Sequence, residues 1–337
     1  MSLLTLLAGS VTIYAEQYDW QLPSGFPTPL VPGDNPMTAA KVNLGRMLFY
    51  NPGLSSTETV SCATCHQQVL AFSDGLKTPV GESGDSLDRS AMSLVNLAYR
   101  LSFGWTNPGR QHLEEQMLRP LFSETPVEMG ASLAKQRILS RLMNDVTYTS
   151  SFHRAFPDDA DPVSWSNIIK AIASFERTLI SGQSTYDAWV FADVRPDATI
   201  IRGMNLFFSA RLACGSCHGG IGFNNEFHFL PASPKTSESK AQFHVTGTSR
   251  EQQAFRAPSL RNIAVTSPYM HDGRFADLEN VIAHYASGPA PEHGLQGFSL
   301  SNVEQGELIQ FLNSLTDKTF LVDKRLSDPR LEGQAVY

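Results

Sequence analysis

Two pentapeptides carry the residues most able to do chemistry, Cys62-Ala63-Thr64-Cys65-His66 and Cys214-Gly215-Ser216-Cys217-His218. Each is a C-x-x-C-H, the attachment motif of c-type haem. Thiols at this spacing sit about one helical turn apart and can add across the two vinyl groups of one porphyrin. The histidine that follows is then held under the iron as its proximal ligand. The two motifs use all four cysteines of the chain. A four-cysteine zinc site usually draws its pairs from neighbouring sequence, whereas these pairs lie in different halves of the chain. A thioredoxin-like site requires neither a second copy nor a histidine after each pair. Two covalently bound haem c groups are therefore expected, with Cys62, Cys65, Cys214 and Cys217 as attachment points and His66 and His218 as axial ligands.

Composition sets bounds on the rest. At 337 residues the length suits about two domains. Charged residues make up 18% and hydrophobic residues 42%, a low charged share that suits a chain burying two large apolar groups. The net charge of −7 argues against nucleic acid as a partner. Haem c is attached outside the bacterial cytoplasm, so a periplasmic protein is expected. Leu3 to Ala15 is apolar and ends in Ile13-Tyr14-Ala15, a small-residue cleavage pattern without a basic n-region. Residues 1–16 are expected to be a signal-peptide remnant. That stretch is too short to span a bilayer, and no other is long enough.

The elements that position the motifs are mostly helical. Residues 17–37 contain Trp20, Pro23, Pro27, Pro29, Pro32 and Pro36 and read as an extended arm over the surface. A helix is expected from about Thr38 to Tyr50, with Val42, Leu44, Met47 and Leu48 apolar. The segment Gly45-Arg46-Met47-Leu48-Phe49 precedes the first haem motif, and Gly203-Met204-Asn205-Leu206-Phe207 precedes the second, so G-x-x-L-F marks an internal repeat. Each half also ends in an amphipathic helix. Ile168, Ile172, Phe175 and Leu179 form the apolar stripe of one, and Leu308, Phe311, Leu312 and Leu315 that of the other, behind a Ser301–Glu304 capping box. Helix, haem motif, loops and helix is the plan of a small mono-haem cytochrome c. The expected fold is all-α, two tandem cytochrome c-like domains, 17–192 and 193–337, with a boundary at Asp193–Asp197. Long loops at 73–90 and 219–250 are expected to wrap the haem edges.

The chain resembles the bacterial di-haem cytochrome c peroxidase and MauG family from about Asn35 to Leu315. Beyond C-x-x-C-H the resemblance is carried by Leu113-Glu114-Glu115-Gln116, Pro126-Val127-Glu128-Met129-Gly130, Phe255-Arg256-Ala257-Pro258-Ser259-Leu260-Arg261-Asn262 and Pro268-Tyr269-Met270-His271-Asp272-Gly273-Arg274-Phe275. The opening Tyr18-Asp19-Trp20-Gln21-Leu22-Pro23 through Asn35-Pro36 looks like the MbnH branch, which accompanies methanobactin and related copper-linked operons.

Several roles follow from that resemblance. In the family's peroxidases a histidine after the first motif caps the first haem until reduction releases it. Residues 67–111 contain no histidine, so an open first iron is expected, as in MauG. The peroxidases supply a methionine to the second iron. Here the corresponding segment is Ala283-His284-Tyr285-Ala286, and Tyr285 aligns with the axial tyrosine of MauG. His284 and Met270 are the alternatives. A phenolate stabilises oxidised iron, whereas a thioether favours Fe(II). Glu128 and Gln116 match the distal polar residues, where a carboxylate can take and return a proton as peroxide is split. Trp105 falls where the family places an aromatic between the haems. Trp165 and Trp189 are expected to be packing residues. The family also holds a calcium ion between the haems. Thr266 and Pro268 match two carbonyl donors, and Ser90 stands where the third donor is usually asparagine.

The function implied is a haem-dependent, protein-modifying oxidoreductase. It would use hydrogen peroxide to reach a high-valent di-iron state and oxidise a periplasmic partner protein (MbnP-like), converting tryptophan to kynurenine. The alternative is a cytochrome c peroxidase that reduces hydrogen peroxide with electrons from a small cytochrome or cupredoxin.

Overall fold

The structure is a computed structural model that describes residues 18–105, 112–224, 229–231, 254–289 and 295–331. The apolar segment at the start of the chain, most of the 219–250 loop and the end of the chain lie outside these. Helix α1 (Ala39–Phe49) begins at Thr38, whose hydroxyl accepts from the Lys41 backbone N–H at 3.2 Å, an N-cap in the ordinary sense. The one-turn helix α2 (Cys62–Cys65) carries the first motif. Then come α3 (Leu113–Phe122), α4 (Lys135–Asn144), α5 (Val146–Ala155) and α6 (Trp165–Glu176). The second half runs through α7 (Thr185–Ala192), α8 (Ala198–Phe207), α9 (Cys214–Cys217), α10 (Leu278–Ala286) and α11 (Asn302–Asn313). Between α9 and α10 a short antiparallel pair, β1 (Phe229–Pro231) and β2 (Ala254–Arg256), sets residue 230 opposite Phe255. Among the described residues no helix is long and apolar enough to cross a membrane.

The G-x-x-L-F repeat has a packing cause. In each half the helix before the haem motif crosses the half's last long helix, and the glycine sits at the crossing. A Cβ at Gly45 would overlap the Ala171 carbonyl of α6, and one at Gly203 would overlap the Glu307 carbonyl of α11. The leucine and phenylalanine of each repeat fill the core beside the contact. Leu48, Phe49, Ile168, Ile172 and Phe175 are all at most 1% exposed, and burial of such side chains contributes about 1.5–3 kcal/mol each. Phe49 meets Phe175 edge to face at 5.2 Å, and Phe207 meets Phe311 at 5.2 Å. The Ser301–Glu304 capping box is present.

The partition at residue 193 needs two changes. The linker at 193–197 is largely exposed, but α7 before it packs on the second core. Tyr186 lies 5.0 Å from Phe223 and 6.0 Å from Phe311, and the buried Asp187 pairs with both terminal nitrogens of Arg261 at 2.9 Å. After α11 the chain returns to the first core, where Phe320 and Leu326 are buried and the Tyr50 hydroxyl donates to Leu326 O at 2.7 Å. The halves thus exchange segments. The arm at 18–37 lacks regular structure, as expected, but is pinned at both ends of its course. Phe26 is buried, the Tyr99 hydroxyl donates to Pro27 O at 2.9 Å, and the fully buried Asn35 donates to Glu114 Oε1 at 2.7 Å.

Candidate haem and inter-haem site

Each motif is a single helical turn ended by its histidine, whose backbone N–H returns to the first cysteine's carbonyl at 2.9 Å in both copies. The imidazoles are then aimed by backbone oxygens. His66 Nδ1 lies 2.8 Å from Phe72 O. His218 Nδ1 lies 3.1 Å from Pro258 O and 3.2 Å from Phe223 O. A carbonyl only accepts, so Nδ1 carries the proton and Nε2 keeps its lone pair for a metal. Burial lowers the affinity of both rings for a second proton, against the opposing pull of those carbonyls. Phe72 and Phe223 both occupy the left-handed region, at φ 59° and 49°. That conformation is uncommon for a bulky residue and turns each carbonyl back toward the histidine.

The cysteines form no disulfide. Burial pushes the Cys62, Cys65 and Cys214 thiols up, Cys65 to about 12 and Cys214 to about 11, so these three stay neutral before attachment. Paired thiols on one helical turn and an imidazole with a free Nε2 fit a haem c at each motif.

Residues around the first motif supply its other side. His112, the first histidine after His66, is exposed at the start of α3. Gln116 lies on α3 against the Trp105 segment, where a Cβ at Gly104 would stand 3.5 Å from Gln116 Oε1. Glu128 is held by its own backbone, which accepts from Glu82 N at 2.8 Å, and by Met129 N donating to Pro120 O at 3.0 Å. Its carboxylate lies 3.5 Å from Arg119 Nε and is among the charges that act on Cys65. Glu128 thus acts on the first motif from the turn after α3, while Gln116 on α3 stands against the Trp105 segment.

Where the halves meet, a cavity of about 70 Å³ is lined by Ser90, Arg100, Trp105, Thr266, Pro268 and Met270 among others. The expected calcium donors and the expected bridging indole thus share one space. Trp105 is fixed by three contacts. Its Nε1 donates to Ser90 O at 2.9 Å, its carbonyl accepts from Arg256 N at 3.1 Å, and its ring stands 6.3 Å from His271. His271 in turn stacks on Phe255 at 3.9 Å. Ser90 is buried, and its carbonyl is already used by the indole.

At the second motif the two neighbours Tyr285 and His284 diverge. Burial pushes the Tyr285 phenol up to about 12, and the charges acting on it next are Cys217 and Cys214. His284 stands 5.3 Å from Phe275, with its affinity for a proton lowered by burial and then by Arg274. Tyr285 is thus acted on by the second motif's cysteines, and His284, beside Phe275, by Arg274. Met270 lines the junction cavity instead.

A family model described as di-haem cytochrome c peroxidase matches residues 39–195. The methylamine utilization protein MauG of Methylophilus methylotrophus is 35% identical over 302 residues, 87% of this chain and 86% of that protein. The chain belongs to the di-haem cytochrome c peroxidase and MauG family. It is a haem-dependent oxidoreductase with two haem c groups. Cytochrome c551 peroxidase of Pseudomonas aeruginosa is 29% identical and covers 84% of this chain and 80% of its own length. The crystal structure of a MauG-like protein associated with microbial copper homeostasis superposes with a TM-score of 0.87 at 36% identity, covering 93% of this chain and 99% of that one.

Some residues that build the site had no evident role in the sequence. Glu114 of the Leu113–Gln116 motif is not distal. Its carboxylate takes both terminal nitrogens of Arg177 at 2.9 and 2.8 Å and is held below the usual carboxylate range against the cost of its burial. This pair ties α3, which carries Gln116, to α6. Arg256, 2% exposed, donates to Ser102 O and so fastens β2 to the Trp105 segment. Asn96 and Asn262, both in the left-handed region, donate to Leu179 O at 2.8 Å and Leu315 O at 3.0 Å. They mark a further repeat, Asn96-Leu97-Ala98 and Asn262-Ile263-Ala264.

Proposed function

We propose that the protein uses hydrogen peroxide to oxidise a partner protein, in the manner of MauG and of the MbnH branch. Bound haem supplies the redox chemistry. The side chains do the rest. Glu128 and Gln116 bind peroxide beside the first motif, with Glu128 taking a proton from one oxygen and returning one to the other. The Arg119 guanidinium 3.5 Å away keeps that carboxylate oriented. Trp105 carries electrons between the halves from the wall of the junction cavity. Tyr285 would hold the second haem iron through its phenol oxygen, a donor that favours the oxidised metal.

The observation that carries this reading is the placement of Tyr285, with its phenol among the second motif's cysteines, where a peroxidase supplies methionine. Two others support it. Residues 67–105 place no histidine near the first motif, and the relative of 36% identity is described as associated with copper homeostasis. The partner is then a periplasmic protein, oxidised at tryptophan to kynurenine. Calcium is assigned to the junction cavity, on the carbonyls of Thr266 and Pro268 with the Ser90 hydroxyl. Haem c attachment and the partner place the protein in the periplasm.

The test is to mix the di-haem protein and hydrogen peroxide with any small exported protein co-encoded with it, and to weigh the latter by mass spectrometry. Oxygen added at a tryptophan of the partner is expected. Rapid peroxide turnover with a reduced cytochrome and an unmodified partner would establish a cytochrome c peroxidase instead.

A further inference from the structure

The two halves repeat one architecture, and one position breaks the repeat. Gly45 faces Ala171 O and Phe175 Cβ on α6, while Gly203 faces Glu307 O and Phe311 Cβ on α11. Phe175 therefore corresponds to Phe311, and Glu176 to Leu312. Leu312 is a buried apolar residue of the cluster that includes Cys214. Glu176 is equally buried, at 8% exposure. It is also the foremost charged group acting on Cys62. A carboxyl thus occupies, in the half that carries the reactive iron, the place that an aliphatic side chain takes in the other.

The carboxyl of Glu176 makes no hydrogen bond among the described residues, and its one neighbouring cation is already committed. Arg177 spends both terminal nitrogens on Glu114, so the three groups together carry one excess acid. The groups on the packed elements do not redress this. On α1, Lys41 is turned to Asn35 and Pro36 at 3.2 and 3.0 Å, and Arg46 donates to Ser327 O. On α3, Arg119 lies by Glu128. An ionised carboxylate without a partner is costly in such a place, and burial, opposed by Arg177 and reinforced by Glu114, pushes Glu176 up to about 8.

We propose that Glu176 is a proton-exchange site coupled to the charge of the first haem. Cys62 packs against the core that holds Phe175 and would join the porphyrin edge, so the carboxyl that acts on Cys62 would lie near the ring. When an electron enters the first centre, positive charge there falls and Glu176 takes a proton from solvent. When the electron leaves, the carboxylate is favoured and the proton returns. One electron and one proton are exchanged, and no bond other than O–H is made or broken. The coupling rests only on haem attachment at Cys62 and Cys65 and is independent of which partner the protein oxidises.

Spectroelectrochemical titration of the di-haem protein tests this, with the first haem followed by its own absorption changes from mildly acidic to alkaline pH. Tenfold per pH unit in the one-electron equilibrium is 59 mV. The wild-type potential should fall with pH by up to that slope in a window around neutrality, and Glu176→Gln should flatten it. Glu176→Leu, which copies Leu312, should do the same. An unchanged slope in both variants would assign the proton to another group and overturn the proposal. If neither variant takes up haem, redox-difference infrared spectra of the wild type decide. A protonated-carboxyl band gained on reduction and shifted by isotopic labelling of glutamate is expected, and its absence overturns the proposal.

Discussion

Asp317 should be the residue on which the joint between the halves depends most. Its carboxylate, 2% exposed, accepts five hydrogen bonds. Oδ2 takes Ser181 Oγ, Gly182 N and Gln183 N at 3.2, 3.0 and 2.9 Å, and Oδ1 takes Thr319 Oγ1 and Phe320 N at 2.7 and 3.1 Å. Its own N–H goes to Asn262 Oδ1 at 2.7 Å, and Asn262 Nδ2 reaches Ser181 Oγ at 2.9 Å. The donors at 181–183 close the first half, and those at 319–320 begin the return segment. Asp317→Asn keeps the shape but replaces one accepting oxygen with a donor. At least two charge-assisted hydrogen bonds are lost, at about 1.5–3 kcal/mol each, so about 3–6 kcal/mol is expected. At about 2 °C per kcal/mol for a long chain, the melting temperature should fall by about 6–12 °C, measured by circular dichroism on the di-haem protein. The pH dependence has a definite sign. Burial raises the Asp317 pKa, but the donors outweigh it and hold the group below its ordinary value. Its stabilisation is therefore full above the unfolded carboxylate value of about 3.9 and is lost as pH falls through the lower folded value. The gap between wild type and variant should be widest near neutrality and close in acid. A melting temperature within about 2 °C of wild type at neutral pH would refute the account.

Gly45→Ala and Gly203→Ala should each cost about 3 kcal/mol or more, read from urea midpoints, because the added methyl meets a helix carbonyl that cannot retreat. Tyr285→Phe should change the absorption and paramagnetic resonance of the second haem and leave the first unchanged; unaltered second-haem spectra would pass the ligand role to His284. Trp105→Phe removes the donor to Ser90 O but keeps a ring, so peroxide should still react at the first haem while partner oxidation falls by at least tenfold, or about 1.4 kcal/mol of barrier. Glu128→Gln should slow the reaction with peroxide and leave haem content intact.

The parts of this protein that were legible in sequence are those whose chemistry or packing demands one residue type. Covalent attachment demands Cys62, Cys65, Cys214 and Cys217, and a helix crossing without room for a Cβ demands Gly45 and Gly203. What stayed hidden rests on backbone shape or on distant partners. The carbonyls that aim the proximal imidazoles belong to Phe72 and Phe223, which sit six residues after His66 and five after His218. The unequal spacing masks the repeat, and a left-handed phenylalanine has no sequence signature. Likewise Phe320 and Leu326 look like an ordinary tail, yet they fill the first core because the chain crosses back. Glu114 stands within the same motif as Gln116, the residue proposed to meet peroxide. Only the fold reveals that its own partner is Arg177 on α6.

The asymmetries between the halves explain how one duplicated plan yields two unlike centres. Both give an iron a proximal imidazole aimed by backbone oxygen, so the difference cannot come from that side. It comes from what each half sets around the rest of the ring. The first half sets Glu128 and Glu176 within the influence of its cysteines and leaves His112 in solvent; on the proposed reading Glu128 and Gln116 are the polar groups that meet peroxide. The second sets Tyr285 within the influence of its cysteines and has the apolar Leu312 where the first has Glu176; on the proposed reading Tyr285 would close that iron. Trp105 stands between them, anchored to the first half through Ser90 and to the second through Arg256. Movement of either half relative to the other must therefore shift the indole. The hydrogen bonds converging on Asp317 fix the same joint, so if Trp105 passes electrons as proposed, the residues that hold the fold together also set its position.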